Sequence, residues 1–106
     1  MQVTIRLDAQ RERFYTIMGG MSCELRFRRI NPYLYEFLYT RVSTEHWGKE
    51  VEEELIFCAL LYAQKEGVKI IVSCPMVEAY LNQHREFHSL VDEKLPAFSK
   101  TMIDVK

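Results

Sequence analysis

Apolar and polar residues alternate over much of the first forty positions in the way that β-strands require. Residues 22–28 alternate strictly. Their apolar face consists of Cys23, Leu25 and Phe27. Residues 13–18 precede this segment across Gly19-Gly20, a pair typical of a hairpin turn. Residues 33–42 carry apolar or aromatic side chains on both parities, which is typical of a central strand covered on each side. We therefore predict three antiparallel strands in sequence order.

Between residues 49 and 66 the repeat of apolar positions changes to that of an α-helix. The apolar positions are Val51, Leu55, Ile56, Cys58, Ala59, Leu60, Tyr62 and Ala63. Gly67 suits the cap that ends many helices. The β-branched run at 68–73 predicts a buried strand, parallel to the third strand through a right-handed crossover. Pro75 suits the first position of a second helix that continues to residue 83.

Length and composition indicate one domain. With 106 residues, of which 48% are hydrophobic, the chain can bury one core of modest size. No linker, low-complexity tract or internal repeat interrupts it. We divide residues 1–106 into antiparallel strands at 1–42, a helix–strand–helix unit at 43–91, and a tail at 92–106 for which the pattern predicts no structure.

The charge balance and the rarer residue types exclude several classes of protein. The 14 basic and 15 acidic residues give a net charge of -1, so we expect no nucleic-acid partner. No apolar run approaches the length that crosses a bilayer, and residues 1–13 lack a signal-peptide pattern. We therefore expect a cytoplasmic protein without a membrane partner. Three widely spaced cysteines and three scattered histidines predict neither a disulfide framework nor a metal site.

Four short motifs follow one another in the second half of the chain. They are Tyr39-Thr40-Arg41-Val42, Gly48, Cys74-Pro75 and His84-Arg85-Glu86-Phe87. At this spacing they resemble the small single-domain branch of the GNAT superfamily of N-acetyltransferases. In that branch a strand ends in His-Thr-x-Val, a glycine-rich turn starts the main helix, a later strand ends in Cys-Pro, and His-Pro-Glu-Tyr follows the next helix.

The resemblance implies a fold and an activity. The fold would be a reduced GNAT fold of the α+β or α/β class, with antiparallel hairpin strands followed by a β-α-β crossover and a second helix. The activity would be transfer of an acetyl group from acetyl-CoA to an amine, carried by a small molecule or a protein. The pattern indicates neither the acceptor nor the oligomeric state.

The resemblance also implies where acetyl-CoA would bind. Its pyrophosphate would meet backbone amides at the turn before the main helix, a general anion site of helix N-termini. The residues at the matching positions are Thr40, Val42, Trp47, Gly48, Lys49, Glu50 and Val51. Trp47 stands where the family has arginine, and Glu50 where it has glycine or alanine. Five glutamates between residues 45 and 54, against one lysine, disfavour a pyrophosphate.

Three side chains are candidates for the chemistry. Cys74 precedes Pro75 at a helix start, which favours the thiolate form of a cysteine; the resemblance places it beside the thioester, and the alternative is a small buried side chain. Tyr39 replaces the family's histidine, and a phenol is a poor base at neutral pH, so packing is the alternative role. Tyr80 lies on the helix after Cys74, where its hydroxyl would protonate a departing thiolate or simply pack.

Two functional classes follow from these residues. The first is an acetyl-CoA-dependent N-acetyltransferase. The second is a catalytically degenerate protein that keeps the fold and serves as a binding or interaction module. Trp47, Glu50 and Tyr39 separate the two classes, because each departs from the family at a position that the chemistry would use.

Overall fold

The structure, a computed structural model, describes residues 3–92. A mixed sheet has five strands in the order β1-β2-β3-β4-β5. The strands are β1 (Arg6–Asp8), β2 (Arg13–Met18), β3 (Met21–Asn31), β4 (Leu34–Arg41) and β5 (Lys69–Val72). The helices are α1 (Gly48–Glu66), α2 (Pro75–Gln83) and a 3₁₀ helix (Arg85–Leu90). This architecture confirms the predicted α+β class.

The first four strands form an antiparallel meander, and the predicted hairpin is present. β2 and β3 pair from Arg13 opposite Arg26 to Met18 opposite Met21. Gly19 and Gly20 both have positive φ, which glycine adopts without steric cost. The sequence did not predict β1, because three residues are too few to show an alternation. It pairs with β2 at the edge of the sheet.

The crossover from β4 to β5 also matches the prediction. α1 ends at Gly67, which has φ 71° and donates its N–H to carbonyls of the last helical turn. β5 then pairs parallel to β4, from Leu34 opposite Lys69 to Phe37 opposite Val72. α2 begins at Pro75, as predicted. The crossover thus places the end of β5 and the start of α2 beside the second half of β4.

One hydrophobic core joins the sheet to the helices. The sheet contributes Phe14, Cys23, Leu25, Phe27, Tyr35, Phe37, Ile70 and Val72. The helices contribute Val51, Leu55, Ile56, Ala59, Leu60, Ala63, Val77, Leu81, Phe87 and Leu90. Burying these side chains supplies the main favourable free energy of folding, at about 1.5–3 kcal/mol for each large one. It also fixes α1 and α2 relative to β4 and β5.

The strand residues that alternate with the core residues point to the other side of the sheet. This second face is here called the arginine face. It consists of Arg13, Tyr15, Glu24, Arg26, Arg28, Glu36, Tyr39 and Arg41. Glu24 lies between two arginines, with its oxygens 3.1 Å from Arg13 Nη1 and 3.7 Å from Arg41 Nη1. Arg28 Nη2 lies 2.7 Å from Glu36 Oε1. Ion pairs therefore satisfy most of the charges on this face.

The described chain ends just after the 3₁₀ helix. The amide of Asp92 donates to the Ile70 carbonyl at 2.9 Å, so this segment is attached to β5. Residues 93–106 of the tail lie outside the described part. Within residues 3–92, no helix is both long and apolar enough to cross a bilayer.

Candidate functional site

β4 and β5 separate in the middle of the sheet. Their last backbone hydrogen bond runs from the Ser73 amide to the Phe37 carbonyl at 3.0 Å. β4 continues to Arg41, paired only with β3. A β-bulge lies at the same place, because Phe27 pairs with Phe37 and Arg26 with Tyr39, leaving Leu38 without a partner. The gap between residues 38–41 and residues 73–74 is here called the wedge.

Backbone groups at the wedge are available for a ligand. In a parallel sheet each strand offers N–H and C=O groups to its neighbour, and β5 has ended before Tyr39. Within residues 3–92, no backbone group of β5 or of the segment after it bonds to β4 beyond Phe37. The wedge therefore exposes backbone N–H groups of β4 that can donate a hydrogen bond to the carbonyl oxygen of a ligand.

The turn before α1 is closely packed. A Cβ built on Gly48 would lie 1.9 Å from the Ser43 carbonyl oxygen, so only glycine fits there. The Gly48 amide donates to the Glu45 carbonyl, and the Val51 amide to the Trp47 carbonyl. In the described part of the chain, the amides of Lys49 and Glu50 have no acceptor. Free amides at a helix N-terminus carry a partial positive charge, which is the general feature that attracts anions.

A cleft of about 270 Å³ lies between α1 and α2. Its lining comprises Lys49, Glu52, Glu53, Ile56, Met76, Ala79, Tyr80, Gln83 and His84. Glu52 joins the cleft to β4, because its carboxylate accepts a hydrogen bond from the Thr40 hydroxyl at 2.7 Å. Only 8% of Glu52 is exposed. The cleft and the wedge thus meet at the Thr40–Glu52 contact.

Tyr80 lines the cleft and keeps its proton. Burial raises the pKa of Tyr80, and the nearby carboxylates of Glu86 and Glu53 raise it further. Its ring stacks on His84, with centroids 3.9 Å apart. His84 Nδ1 in turn lies 3.6 Å from Glu86 Oε2. This arrangement suits Tyr80 as a proton donor and not as a base.

The structure does not bring Cys74 and Tyr39 together. Cys74 is 1% exposed and belongs to the hydrophobic core. Tyr39 lies on the arginine face, where Arg41 approaches its ring at 5.8 Å. The burial of Cys74 agrees with the alternative role, that of a small side chain in the core. Tyr39 packs beside Arg41, which agrees with the packing role considered for it. No group of three or more metal-ligating side chains occurs in residues 3–92.

Comparison with known proteins decides the family. The model of the GCN5-related N-acetyltransferase family matches residues 13–90. This chain belongs to that family. The NMR solution structure of a GCN5-like protein from Staphylococcus aureus superposes on it with a TM-score of 0.66. The identity is 21%, over 84% of this chain and 87% of the other, so this likeness shows the fold alone. A search of curated proteins finds no match to the sequence.

Most of the residues predicted to hold acetyl-CoA in this GCN5-related protein lie in three settings: the start of α1, the hydrophobic core and the contact with the β2–β3 hairpin. α1 begins at Gly48, one residue before the predicted start at Lys49, so Gly48, Lys49 and Glu50 form its first turn. Val51 is fully buried and Val42 packs against the core, so their side chains serve the fold. Trp47 lies on the hairpin turn, 3.3 Å from a Cβ built on Gly19. The aromatic ring therefore anchors the turn to the sheet in place of an arginine that would meet phosphate.

The backbone of this GCN5-related protein fits acetyl-CoA better than its side chains do. The wedge and the two free amides of α1 are present. The positive charge nearby is Lys49, whose Nζ lies 3.7 Å from Glu53 Oε2. Glu50 is exposed at the same turn, where water screens its charge. The wedge thus has backbone donors suited to the thioester carbonyl of acetyl-CoA. For the phosphates, the turn has two free amides but little positive side-chain charge.

Sequence reasoning missed two carboxylates at this site. Ser73 Oγ donates to Glu36 Oε2 at 2.5 Å, which ties β5 to β4 just before the wedge. The Ser73 hydrogen bond lowers the pKa of Glu36, and the Arg28 guanidinium contributes in the same direction. Glu52 is the second. The residues that these carboxylates contact, Ser73 and Thr40, are distant from them in sequence, so no local pattern predicts the two contacts. The one sequence signal is that Glu36 is a polar residue within an otherwise apolar strand.

Proposed function

We propose that this GCN5-related protein is an acetyl-CoA-dependent N-acetyltransferase acting on an amine. The observation that carries the proposal is the wedge, where β4 leaves β5 at a bulge and exposes backbone donors beside the start of α1. When bound, acetyl-CoA supplies an activated acetyl thioester. The family match supports this class of reaction.

The β4 backbone beyond Phe37 would bind the carbonyl oxygen of the acetyl group. When an amine nitrogen attacks that carbonyl carbon, negative charge develops on the oxygen. Fixed N–H donors stabilise such charge more than they stabilise the ground state, and one donor contributes about 2.7–4 kcal/mol in other enzymes. The bulge at Leu38 matters here, because it turns this backbone away from regular pairing.

Tyr80 would supply the proton that the leaving group needs. As the C–N bond forms and the C–S bond breaks, the sulfur leaves as a thiolate and the nitrogen loses a proton to water. A phenol whose pKa is raised remains protonated at neutral pH and is able to donate to the sulfur. Cys74 would shape the floor of the wedge, because its thiol is too buried for covalent attack on the acetyl group.

The amides of Lys49 and Glu50 would receive the phosphates. Glu50 and Glu53 place negative charge nearby, so we expect weak binding that strengthens as salt screens these carboxylates or as they are neutralised. Glu50→Gln should therefore bind acetyl-CoA about two- to fivefold more tightly, the change that a surface charge interaction of about 0.3–1 kcal/mol produces. Glu66→Gln, at the other end of α1, is the matched control and should leave affinity unchanged.

An NMR titration with acetyl-CoA tests the proposal at residue resolution. Amide signals of residues 38–41 and 48–50 should shift together and saturate, and the Glu50→Gln variant should saturate at a lower concentration. Thiol release in the presence of a panel of amines then measures transfer, and Tyr80→Phe should slow it by about 10²- to 10⁴-fold if this hydroxyl is the acid. Unshifted wedge amides at millimolar acetyl-CoA would reject the proposal and leave the non-catalytic binding module.

A further inference from the structure

One guanidinium on the arginine face lacks the partner that its neighbours have. Arg13, Arg28 and Arg41 each have a carboxylate oxygen within 3.7 Å. Arg26 has none among residues 3–92, and its Nε is buried without a hydrogen-bond acceptor there. A buried donor without an acceptor destabilises the folded state, and more so when the donor is charged. An unpaired group of this kind in a folded protein requires a physical explanation, and a bound anion is one.

The surroundings of Arg26 add to this cost. Arg13 lies directly opposite on β2, and like charges in that position destabilise a sheet. On the other side Arg26 pairs with Tyr39, whose ring also has the Arg41 guanidinium 5.8 Å from its centroid. Tyr39 is 40% exposed, so the ring borders solvent. Nε is the buried nitrogen of Arg26, and the residue as a whole is half-buried, so an anion from solvent would bind its outer guanidinium nitrogens. Such an anion would also reduce the repulsion from Arg13.

Arg26 is also close to the proposed reaction site. Tyr39 is the first residue of β4 after the bulge, so Arg26 lies opposite the strand segment that forms the wedge. Glu36 lies diagonally from Arg26 across β3 and β4, at the roughly 7–8 Å that separates such neighbours. The Glu36 oxygens are already engaged by Arg28 and Ser73, so the carboxylate of Glu36 borders this point without offering a free acceptor. Arg26 is therefore the group on this part of the face that lacks a carboxylate partner among residues 3–92.

We propose that the acceptor amine carries a carboxylate, which binds Arg26 beside Tyr39. This inference rests on the proposed acetyltransferase function and adds the chemical class of the acceptor. Glu24 and Glu36 on the same face disfavour a dianion, which is why a carboxylate is expected in preference to a phosphate. Tyr39 would then act as a wall of the acceptor site, a role that explains an aromatic residue where the family has histidine.

The first experiment reads Arg26 directly and needs neither acetyl-CoA nor turnover. The Nε–H signal of Arg26 is assigned in a ¹⁵N NMR spectrum by its absence from Arg26→Gln. β-Alanine should shift this signal saturably, and β-alaninamide, which lacks the carboxylate, should leave it in place. Arg26→Gln should weaken β-alanine binding by roughly 10- to 100-fold, the loss expected for a hydrogen bond to a charged group. Lys65→Gln, which removes a charge at the far end of α1, should bind normally.

A static Nε–H signal at tens of millimolar β-alanine would overturn the inference. Tighter binding of phosphoethanolamine than of β-alanine would overturn the choice of a carboxylate. If Arg26→Gln fails to fold, Arg26→Lys keeps the charge without the Nε donor, and wild-type affinity for β-alanine in this variant would also count against the site.

Transfer kinetics separate this inference from the proposed function. The ratio of kcat/KM for β-alanine to that for β-alaninamide should fall by about tenfold or more in Arg26→Gln and stay constant in Lys65→Gln. Acetylation of both amines with an unchanged ratio would reject the carboxylate site and leave the acetyltransferase standing. Binding of β-alanine at Arg26 without transfer to any amine would support the anion site and reject the reaction.

Discussion

Replacing Gly48 by alanine tests whether the turn before α1 is as tight as described. The added Cβ would lie 1.9 Å from the Ser43 carbonyl oxygen and 2.9 Å from its carbon. Carbon–oxygen contacts lie at about 3.3 Å or more, so the two backbone segments must separate by roughly 1.4 Å. Overpacking of this kind costs about 1–3 kcal/mol, and alanine returns less than about 1 kcal/mol through its helix propensity.

We therefore expect Gly48→Ala to lower the free energy of unfolding by about 2 kcal/mol. For a domain of this size, that corresponds to a fall in Tm of roughly 8–16 °C. Urea denaturation followed by far-UV circular dichroism measures the difference directly, and the midpoint should fall by about 1 M. The same shift would displace the amides of Lys49 and Glu50, so acetyl-CoA binding should weaken as well.

Lys49→Ala is the matched control for Gly48→Ala. It lies one residue further along the same turn, its side chain is 74% exposed, and its ion pair with Glu53 is a surface pair. Such a change is usually worth less than about 0.5 kcal/mol. If Gly48→Ala were as stable as Lys49→Ala, the close approach of residues 43 and 48 would be refuted, and with it the explanation of why glycine occupies this position.

Three further predictions concern other contacts of the site. Ser73→Ala should lower the free energy of unfolding by about 1–2 kcal/mol at pH 7, because Glu36 loses a hydrogen-bond donor. The pKa of Glu36 is lower in the folded state than in the unfolded state, so this contribution is lost as Glu36 becomes protonated. The urea midpoints of Ser73→Ala and wild type should therefore converge as the pH falls below about 4. Thr40→Val should cost about 1–3 kcal/mol in the same assay, because the buried carboxylate of Glu52 loses its donor. Iodoacetamide should modify Cys58 before the other two thiols, which are almost fully buried, and mass spectrometry of the peptides gives the order.

Each of these predictions has a result that would contradict it. Ser89→Ala is the control for Ser73, and a loss of stability in Ser73→Ala that is constant with pH would exclude a link to Glu36. For Thr40, a second substitution, Glu52→Leu, should restore much of the loss, since removing both partners leaves no unsatisfied charge. Modification of Cys74 ahead of Cys58 would show that the wedge opens in solution and would revive a nucleophilic role for that thiol.

Local sequence patterns were sufficient for most of the fold. The alternation at residues 22–28, the helical repeat that ends at Gly67 and the proline at position 75 each depend on near neighbours, so each could be read from the chain. β1 was missed because three residues carry too little pattern. The bulge at Leu38 was also missed, because it arises from the pairing of two strands and not from the composition of one.

The site was harder to predict than the fold, for the same reason. The positions of Gly48 and Tyr80 followed from the motifs and the helix pattern. The burial of Cys74, the tie between Glu36 and Ser73, and the packing of Trp47 on the hairpin depend on residues brought together by the crossover. These three features depend on contacts between the two halves of the chain, so the sequence pattern of either half alone does not predict them.

The segment after α2 has a consequence for self-association. β5 is a short strand at the edge of the sheet, and an uncovered edge offers hydrogen bonds to a second chain. Val91 forms a parallel β-bridge with Ile70 on that edge, and the Asp92 amide donates a hydrogen bond to the Ile70 carbonyl. Phe87 and Leu90, both buried, hold this cover in place. The six-residue 3₁₀ helix thus protects the β5 edge from pairing with a second chain. A substitution that displaces this helix would therefore promote self-association before it unfolds the domain.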